Sequence, residues 1–299
     1  MPTTSETTHH LNKEVIPALE LPNDERISYI NSEHWIRYTR ADEILGKMKY
    51  LLDFPKKHRM PNLLIVGETN NGKTMIVNRF QQKNKAHDNN DADAIMLPVF
   101  VIQAPPVPDE ARLYDEMLIK LSAPFKFSEK LSKKLFQLMC ILEQTSTRML
   151  VIDEIHNIIA GNLSRQRAFL NVLKNFCNEL KIPLVGVGTE DAFNALSTDP
   201  QLSNRFEPMV LPRWTDNEEY WRLLVSFESL LPLKKPSGLA EKPLADKILF
   251  MSEGIIGEIS NILTRAAIIA IRNEQERITL KTLNSLNWIL PSERNRQYL

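Results

Sequence analysis

The feature that most constrains the sequence is the loop Gly67-Glu-Thr-Asn-Asn-Gly-Lys73-Thr74. It lies between an apolar run at 63–66 and a segment at 75–80 that can continue as a helix. The loop matches the pattern G-x-x-x-x-G-K-[ST], and strand, loop and helix in this order form the context in which the pattern binds phosphate. Its glycines let the backbone turn and approach an anion closely. Successive N–H groups and the N-terminus of the following helix attract that anion. The sequence therefore predicts a nucleotide-phosphate site built on an α/β fold.

Individual side chains in and near this loop have predicted roles. Lys73 is expected to reach the β- and γ-phosphates, and the Thr74 hydroxyl is expected to ligate Mg²⁺. Trp35 and Tyr38 precede the helix ahead of the loop, and they either form part of an adenine pocket or pack in the core. The predicted nucleotide-binding residues are Gly67, Glu68, Thr69, Asn70, Asn71, Gly72, Lys73, Thr74, Met75 and Tyr38.

A second motif consists of an apolar run at 149–152 followed directly by Asp153 and Glu154. In nucleotide hydrolysis Asp153 would hold Mg²⁺ through water, and Glu154 would polarise the attacking water as the general base. A strand can end in acidic residues without any function, but the phosphate loop upstream favours the catalytic interpretation. His156 is more typical of a structural residue, because nothing near it completes a zinc site.

Two later positions are candidates for completing a catalytic site with Glu154. Thr189 follows the apolar run at 184–187, where it would orient the attacking water, cap the next helix, or do both. Arg205 precedes the last apolar run. An arginine there can reach the γ-phosphate held by a neighbouring subunit and stabilise the developing charge. The alternative for Arg205 is a surface arginine in a local ion pair.

Strand and helix patterns alternate up to residue 211, and only helical patterns follow Pro212. Alternation of this kind predicts a parallel sheet with helices on both faces. We expect an α/β fold with a parallel five-stranded sheet flanked by helices, followed by a small all-helical lid domain. The expected strands are 63–66, 97–103, 149–152, 184–187 and 208–211, with a surface loop at 81–94. The expected domains are a disordered polar tail at 1–22, an α/β nucleotide-binding domain with N-terminal helices at 23–213, the lid at 214–290 and a C-terminal tail at 291–299.

The charges balance, with 37 basic and 37 acidic residues among 299, so a nucleic-acid site has to be a local patch. Residues 120–148 contain six basic and two acidic side chains, which is an excess of four positive charges. Such a run either contacts phosphates without sequence preference or forms a solvated helix face. The predicted DNA-binding residues are Lys120, Lys126, Lys130, Lys133 and Lys134, with Arg165 and Arg167 as weaker candidates.

The two cysteines, Cys140 and Cys177, fall in helical apolar patterns and are expected to be buried core residues. This use of cysteine is typical of a reducing cytoplasm. No apolar stretch approaches the length of a membrane span, and the first residues lack an apolar signal core. We therefore expect a cytoplasmic protein with no membrane partner.

Taken together, the phosphate loop, residues 149–154, Thr189 and Arg205, followed by a helical lid, resemble an AAA+ ATPase. More narrowly, the chain resembles the TniB/TnsC family of transposition ATPases from about residue 23 to residue 290, and four stretches carry this resemblance. These stretches are residues 35–38, 59–67 (which begins Arg-Met-Pro-Asn), 70–74 and 149–156.

The resemblance implies ATP and Mg²⁺ as cofactors and homo-oligomers, as filaments or rings, on double-stranded DNA. It implies recruitment or activation of a transposase, a targeting subunit similar to TniQ, and disassembly driven by hydrolysis. It also implies that Thr189 is the first sensor and that Arg205 is a finger acting in trans. Residues 257–261 depart from the pattern, because they lack the arginine of a second sensor, and Arg265 lies one turn further on. A helicase or clamp loader, and a nucleotide-switched scaffold, share these nucleotide residues and remain alternatives.

Overall fold

The structure is a computed structural model that describes residues 9–88, 95–159 and 163–294. The chain divides into two compact units. The helical unit comprises Met1–Asp42, Asn70–Gly72 and Arg213–Leu299. The sheet unit comprises Glu43–Thr69 and Lys73–Pro212.

Helices and strands alternate through the first two thirds of the chain. In chain order they are α1 (Asn23–Asn31), α2 (Thr39–Leu52), β1 (Asn62–Gly67), α3 (Lys73–Lys83), β2 (His87–Asp88), β3 (Ile95–Met96), β4 (Val99–Gln103), α4 (Glu110–Lys120), α5 (Leu131–Gln144), β5 (Met149–Asp153), α6 (Leu163–Glu179), β6 (Leu184–Gly188), α7 (Glu190–Ser197), α8 (Pro200–Ser203), β7 (Phe206–Leu211), α9 (Glu218–Glu228), α10 (Lys242–Ser252), α11 (Ile256–Arg272) and α12 (Leu280–Asn284). Short 3₁₀ helices occupy Ile16–Glu20, Ile155–Ile159 and Pro291–Glu293.

The sheet unit is built on five strands in the order β4-β5-β6-β1-β7, and every pair in it is parallel. All residues of β1, β5 and β6 are buried, which is expected where helices cover both faces of a parallel sheet. Edge strand β7 buries only its two end residues, Phe206 and Leu211. The predicted parallel five-stranded sheet is confirmed.

Two features of the sheet unit differ from the sequence-based expectations. The expected surface loop at 81–94 begins inside α3, and His87–Asp88 pairs antiparallel with Ile95–Met96, while residues 89–94 lie outside the described part. Cys177 is buried as expected, but Cys140 is only half-buried, because it lies away from the buried stripe of α5.

The helical unit buries an apolar core between α1 and α9–α12. Arg26 of α1 lies in this unit, where its guanidinium pairs with Glu276 at 2.6 Å. Ile30 joins the same core. The structure therefore groups α1 with the C-terminal helices, whereas the sequence-based division placed it with the α/β domain. The last α-helix of this unit, α12, is short and comprises Leu280–Asn284.

The expected disordered tail is wrong for its described part, residues 9–22. Leu11, Val15 and Leu19 recur every four residues, and together they pack against Tyr29 and Leu230. Among the described residues, no single helix is long and apolar enough to cross a membrane; only α10 and α11 taken together pass that test, and the pair is bent by 119°.

Candidate nucleotide-binding site

The phosphate loop leaves β1 at Gly67 and enters α3 at Lys73. Asn70 and Gly72 adopt the left-handed conformation, with φ of 63° and 82°. Glycine takes this conformation without steric cost, and asparagine tolerates it better than most residues. Of the other predicted contacts, Glu68 and Thr69 are exposed, Asn71 is buried, and Met75 is half-buried in the first turn of α3. The loop thus has the turn that the motif requires.

Lys73 is almost fully buried at the base of the loop, with 6% of its surface exposed. Its amine donates to the carbonyl oxygens of Gly67 (2.9 Å) and Glu68 (2.7 Å). Burial lowers the pKa of Lys73, and the nearby carboxylates of Glu154 and Asp153 act in the opposite direction. Neutral carbonyl acceptors leave the positive charge of Lys73 uncompensated at bonding distance, so the amine can accept a phosphate as a new partner.

Thr74 and Asp153 lie side by side although 79 positions separate them in the chain. The Thr74 hydroxyl donates to Asp153 Oδ2 at 2.8 Å, and the second carboxylate oxygen accepts the Glu154 N–H at 2.8 Å. Hydroxyl and carboxylate oxygens are the ligands that Mg²⁺ prefers beside substrate phosphates. The two side chains therefore fit the predicted metal site.

Glu154 has a strained backbone, because its φ of 54° is in the left-handed region that a non-glycine residue avoids. Its carboxylate Oε2 lies 3.1 Å from His156 Nε2, and both residues are partly exposed. His156, interpreted from the sequence as structural, therefore orients the carboxylate that is the candidate general base. Spacing in the sequence gave no sign of this contact.

Thr189 directly follows β6 and occupies the N-cap position of α7, but its side chain makes no capping hydrogen bond. Among the described residues, the buried Thr189 hydroxyl has no hydrogen-bond partner at all. An unsatisfied buried hydroxyl costs about 1–3 kcal/mol. The capping alternative is therefore not observed, and the hydroxyl is available to a water or a ligand.

Within the helical unit, the loop tip Asn70–Gly72 contacts the first turn of α11. The Gly257 N–H donates to the Asn70 carbonyl at 3.0 Å, and the Asn70 amide donates to Glu258 Oε1 at 2.9 Å. A Cβ on Gly257 would lie 2.0 Å from Asn70 Oδ1, so only glycine fits this position. Hydrogen bonding to Arg294 is the main cause that lowers the pKa of the buried Glu258.

Arg265, considered from the sequence as a substitute second sensor, lies with its guanidinium over the Trp288 ring at 5.2 Å. The charged residue of α11 at the loop tip is Glu258 instead. Sequence reasoning missed it, and the available signal was a single acidic residue in the first turn of a strongly apolar helix.

Tyr38 packs in the helical unit, where its ring meets Trp214 edge-on at 5.3 Å and burial raises its pKa to about 12. Its hydroxyl lies near Gly72, 3.5 Å from the position that a Cβ would take. The packing alternative is therefore observed, while an additional adenine contact stays a prediction.

Arg205 lies in the sheet unit immediately before β7. Its Nη1 donates to Asn178 Oδ1 at 2.8 Å, and its buried Nε has no hydrogen-bond partner in the described part of the chain. No carboxylate of the described residues pairs with it, so the local ion pair considered as an alternative is not observed.

A family profile described as Bacterial TniB protein matches residues 26–216. The chain belongs to the TniB family. Solved structures of similar fold include the ADP form of the ORC2 protein of Aeropyrum pernix (TM-score 0.59, 12% identity, 86% of this chain and 70% of that chain). Others are Cdc6p of Pyrobaculum aerophilum (0.56, 17%, 84% and 67%) and the ORC1 protein of Aeropyrum pernix in complex with DNA (0.55, 15%, 87% and 68%). These similarities establish the AAA+ fold for this TniB-family chain.

The lysines of this TniB-family chain between α4 and α5 differ from one another in their surroundings. The prediction that Lys134 binds DNA is wrong, because its side chain is only 1% exposed and its amine pairs with Asp115 at 2.5 Å. The amine also donates to the Phe127 carbonyl at 3.0 Å. Lys133 is exposed but pairs with Glu129 at 2.7 Å. The exposed lysines of this segment that lack an ion pair within the described chain are Lys120, Lys126 and Lys130.

Proposed function

We propose that this TniB-family chain is a DNA-binding ATPase that regulates transposition and binds ATP between two copies of itself. The observation that carries the proposal is the position of Arg205 relative to the phosphate loop. Asn62 pairs with Phe206 at one end of β1, and Gly67 pairs with Leu211 at the other end. A strand of this length spans about 16 Å, so Arg205 cannot reach a phosphate held by its own loop. A second copy has to supply the nucleotide on which Arg205 acts.

In its own site, each chain holds and activates the reactants. Lys73 exchanges its two carbonyl acceptors for the β- and γ-phosphates, and Glu154, oriented by His156, accepts a proton from the attacking water. The water oxygen bonds to the γ-phosphorus while the bond to the bridging β–γ oxygen breaks, which leaves ADP and phosphate. Mg²⁺ held by Thr74 and Asp153 would neutralise the charge that develops on the phosphates.

The DNA part of the proposal rests on the three unpaired lysines of the α4–α5 segment and on family membership. Lysines of this kind contact backbone phosphates without reading sequence. Assembly as a filament or ring on double-stranded DNA, and engagement of a transposase and a TniQ-like targeting subunit, are part of the same proposal. A replication-type loader would use the same ATP residues, but the TniB profile favours transposition over replication.

Mixing two inactive variants tests the shared site. Lys73→Ala removes nucleotide binding in cis, and Arg205→Ala removes the contribution in trans. We expect each variant alone to lose DNA-stimulated ATP turnover by about 10³-fold or more. An equimolar mixture should recover part of the turnover, because the intact loop of one variant then meets the Arg205 of the other. Arg222→Ala, which removes an exposed arginine paired with Glu218, is the matched control and should stay fully active. Full activity of Arg205→Ala alone, or no recovery on mixing, would refute the proposal.

A further inference from the structure

A pocket of about 450 Å³ opens at the amino ends of β1 and β7, away from the phosphate loop. Its lining includes three cationic side chains, from Lys57, Arg59 and Arg205, and one carboxylate, from Glu207. That volume is within the range of small-ligand sites. The pocket is therefore large enough to admit a compact polyphosphate.

The charges of this pocket favour an anion. Glu207 is already paired with Lys47 from α2. In the described chain, the Lys57 amine lies over the Phe54 ring at 5.0 Å, neither Lys57 nor Arg59 has an ion pair, and the Nε of Arg205 is buried without a partner. Three cations line one pocket with a single carboxylate that another lysine neutralises, so a bound anion would compensate their charge.

The segment before β1 holds these cations in place. Met60 is buried, and its sulfur accepts the Lys57 N–H at 3.2 Å. The Asn62 N–H donates to the Arg205 carbonyl at 3.0 Å. The Asn62 side chain is fully buried, where it donates to Cys177 Sγ and accepts the Leu184 N–H. Two buried residues, Met60 and Asn62, thus anchor the segment, and the exposed Arg59 lines the same pocket as Arg205.

We propose that Arg59 is a second cation acting in trans, which binds the terminal phosphates of ATP held by another copy of the chain. This inference rests on the proposed shared site, because Arg59 lines the same pocket as Arg205, the residue proposed to act on the nucleotide of another copy. Like Arg205, Arg59 cannot reach a phosphate held by the loop of its own chain, since both residues lie at the opposite end of β1 from that loop. The planar guanidinium offers two parallel donors to phosphate oxygens, which a lysine cannot do.

Arg59→Ala is the direct test. Loss of one charge-assisted contact in the reacting complex should lower DNA-stimulated ATP turnover by about 10- to 100-fold. Affinity of the DNA-free chain for a fluorescent ATP analogue should stay unchanged, which also shows that the variant is folded. Lys56→Ala, in the same loop but outside the pocket lining, should keep the parental turnover. Parental turnover in Arg59→Ala would overturn the inference.

Mixing experiments separate this inference from the proposed function. Arg59→Ala mixed with Lys73→Ala should recover turnover, whereas Arg59→Ala mixed with Arg205→Ala should not, because both lack the same trans surface. Recovery in the second mixture would overturn the inference while leaving the shared site intact. If Arg205→Ala and Lys73→Ala fail to complement each other, the shared site itself is wrong.

DNA is the other source of phosphate for this pocket, and the salt dependence of DNA binding distinguishes the two. A lost DNA phosphate contact lowers the slope of log K against log salt by about 0.9. We expect Arg59→Ala to keep the parental slope with duplex DNA and a non-hydrolysable ATP analogue. A slope reduced by about one contact, with parental ATP turnover per bound chain, would assign the pocket to DNA instead.

Discussion

The phosphate loop and the α4–α5 segment each contain a buried lysine, and the two lysines differ in their partners. Lys73 donates to two neutral backbone carbonyls. Lys134 pairs with the Asp115 carboxylate and donates to the Phe127 backbone carbonyl. Its amine also lies 5.6 Å from the centre of the Phe125 ring. Among the described residues, the charge of Lys73 therefore has no bonded carboxylate to compensate it, whereas the charge of Lys134 is compensated by Asp115. For a buried lysine, the chemistry of the partner separates a ligand-binding role from a structural role.

Removing each amine tests this difference most strongly through stability. Lys134→Ala leaves Asp115 without its partner, and we expect a loss of about 3 kcal/mol in the free energy of unfolding. Lys73→Met should change that free energy by less than about 1 kcal/mol, because an apolar side chain avoids the desolvation that lowers the pKa of Lys73. Urea-induced unfolding of both variants measures the contrast.

Lys133→Ala is the control for this stability contrast. It removes an exposed lysine one position away, and surface ion pairs of this kind contribute about 0–1 kcal/mol. Equal destabilisation by Lys134→Ala and Lys133→Ala would mean that the buried pair does not hold the segment together.

The same contrast shows what the sequence could predict. The motif demands particular residues at fixed spacing beside an apolar strand, and the structure confirms that the loop lies between the strand β1 and the helix α3. The lysine run was interpreted from its net charge alone, and net charge carries no information about burial. Lys134 shares a helix face with Leu138 and Leu142, so its spacing indicated the core side of α5. The Asp115 partner lies 19 positions upstream on another helix, and no local pattern could reveal it.

The Glu258 contact at the loop tip was unpredictable for a related reason. It depends on Gly257 approaching Asn70 from a helix that begins 186 positions later in the chain. The contact of Asn62 was unpredictable for the same reason, because its side chain joins β1 to Cys177 of α6, far away in the sequence. Sequence spacing identified the parts that act within one segment, whereas contacts between segments required the structure.

Charge reversal at the exposed lysines should affect DNA binding and leave stability alone. Lys126→Glu with Lys130→Glu should weaken duplex-DNA affinity and lower its salt slope by about two contacts. The free energy of unfolding should stay within about 0.5 kcal/mol of the parent, because both side chains are exposed. Fluorescence anisotropy at several salt concentrations measures the slope, and Lys242→Glu in the helical unit is a control. An unchanged slope would remove this segment from the DNA-binding surface.

The smallest expected effect concerns pH and the Glu258 contact at the loop tip. Hydrogen bonding to Arg294 holds the pKa of Glu258 below its ordinary value of 4.5, so the carboxylate stabilises the folded state above that pH. This stabilisation is lost as pH falls from 4.5 through the lower folded-state pKa. Glu258→Gln should therefore be less stable than the parent at neutral pH, and the two should converge in acid. Melting temperatures across that pH range measure the convergence, with Glu25→Gln, exposed on α1, as the matched control. A stability difference that stays constant down to pH values well below 4.5 would mean that Glu258 acts through packing and not through its charge.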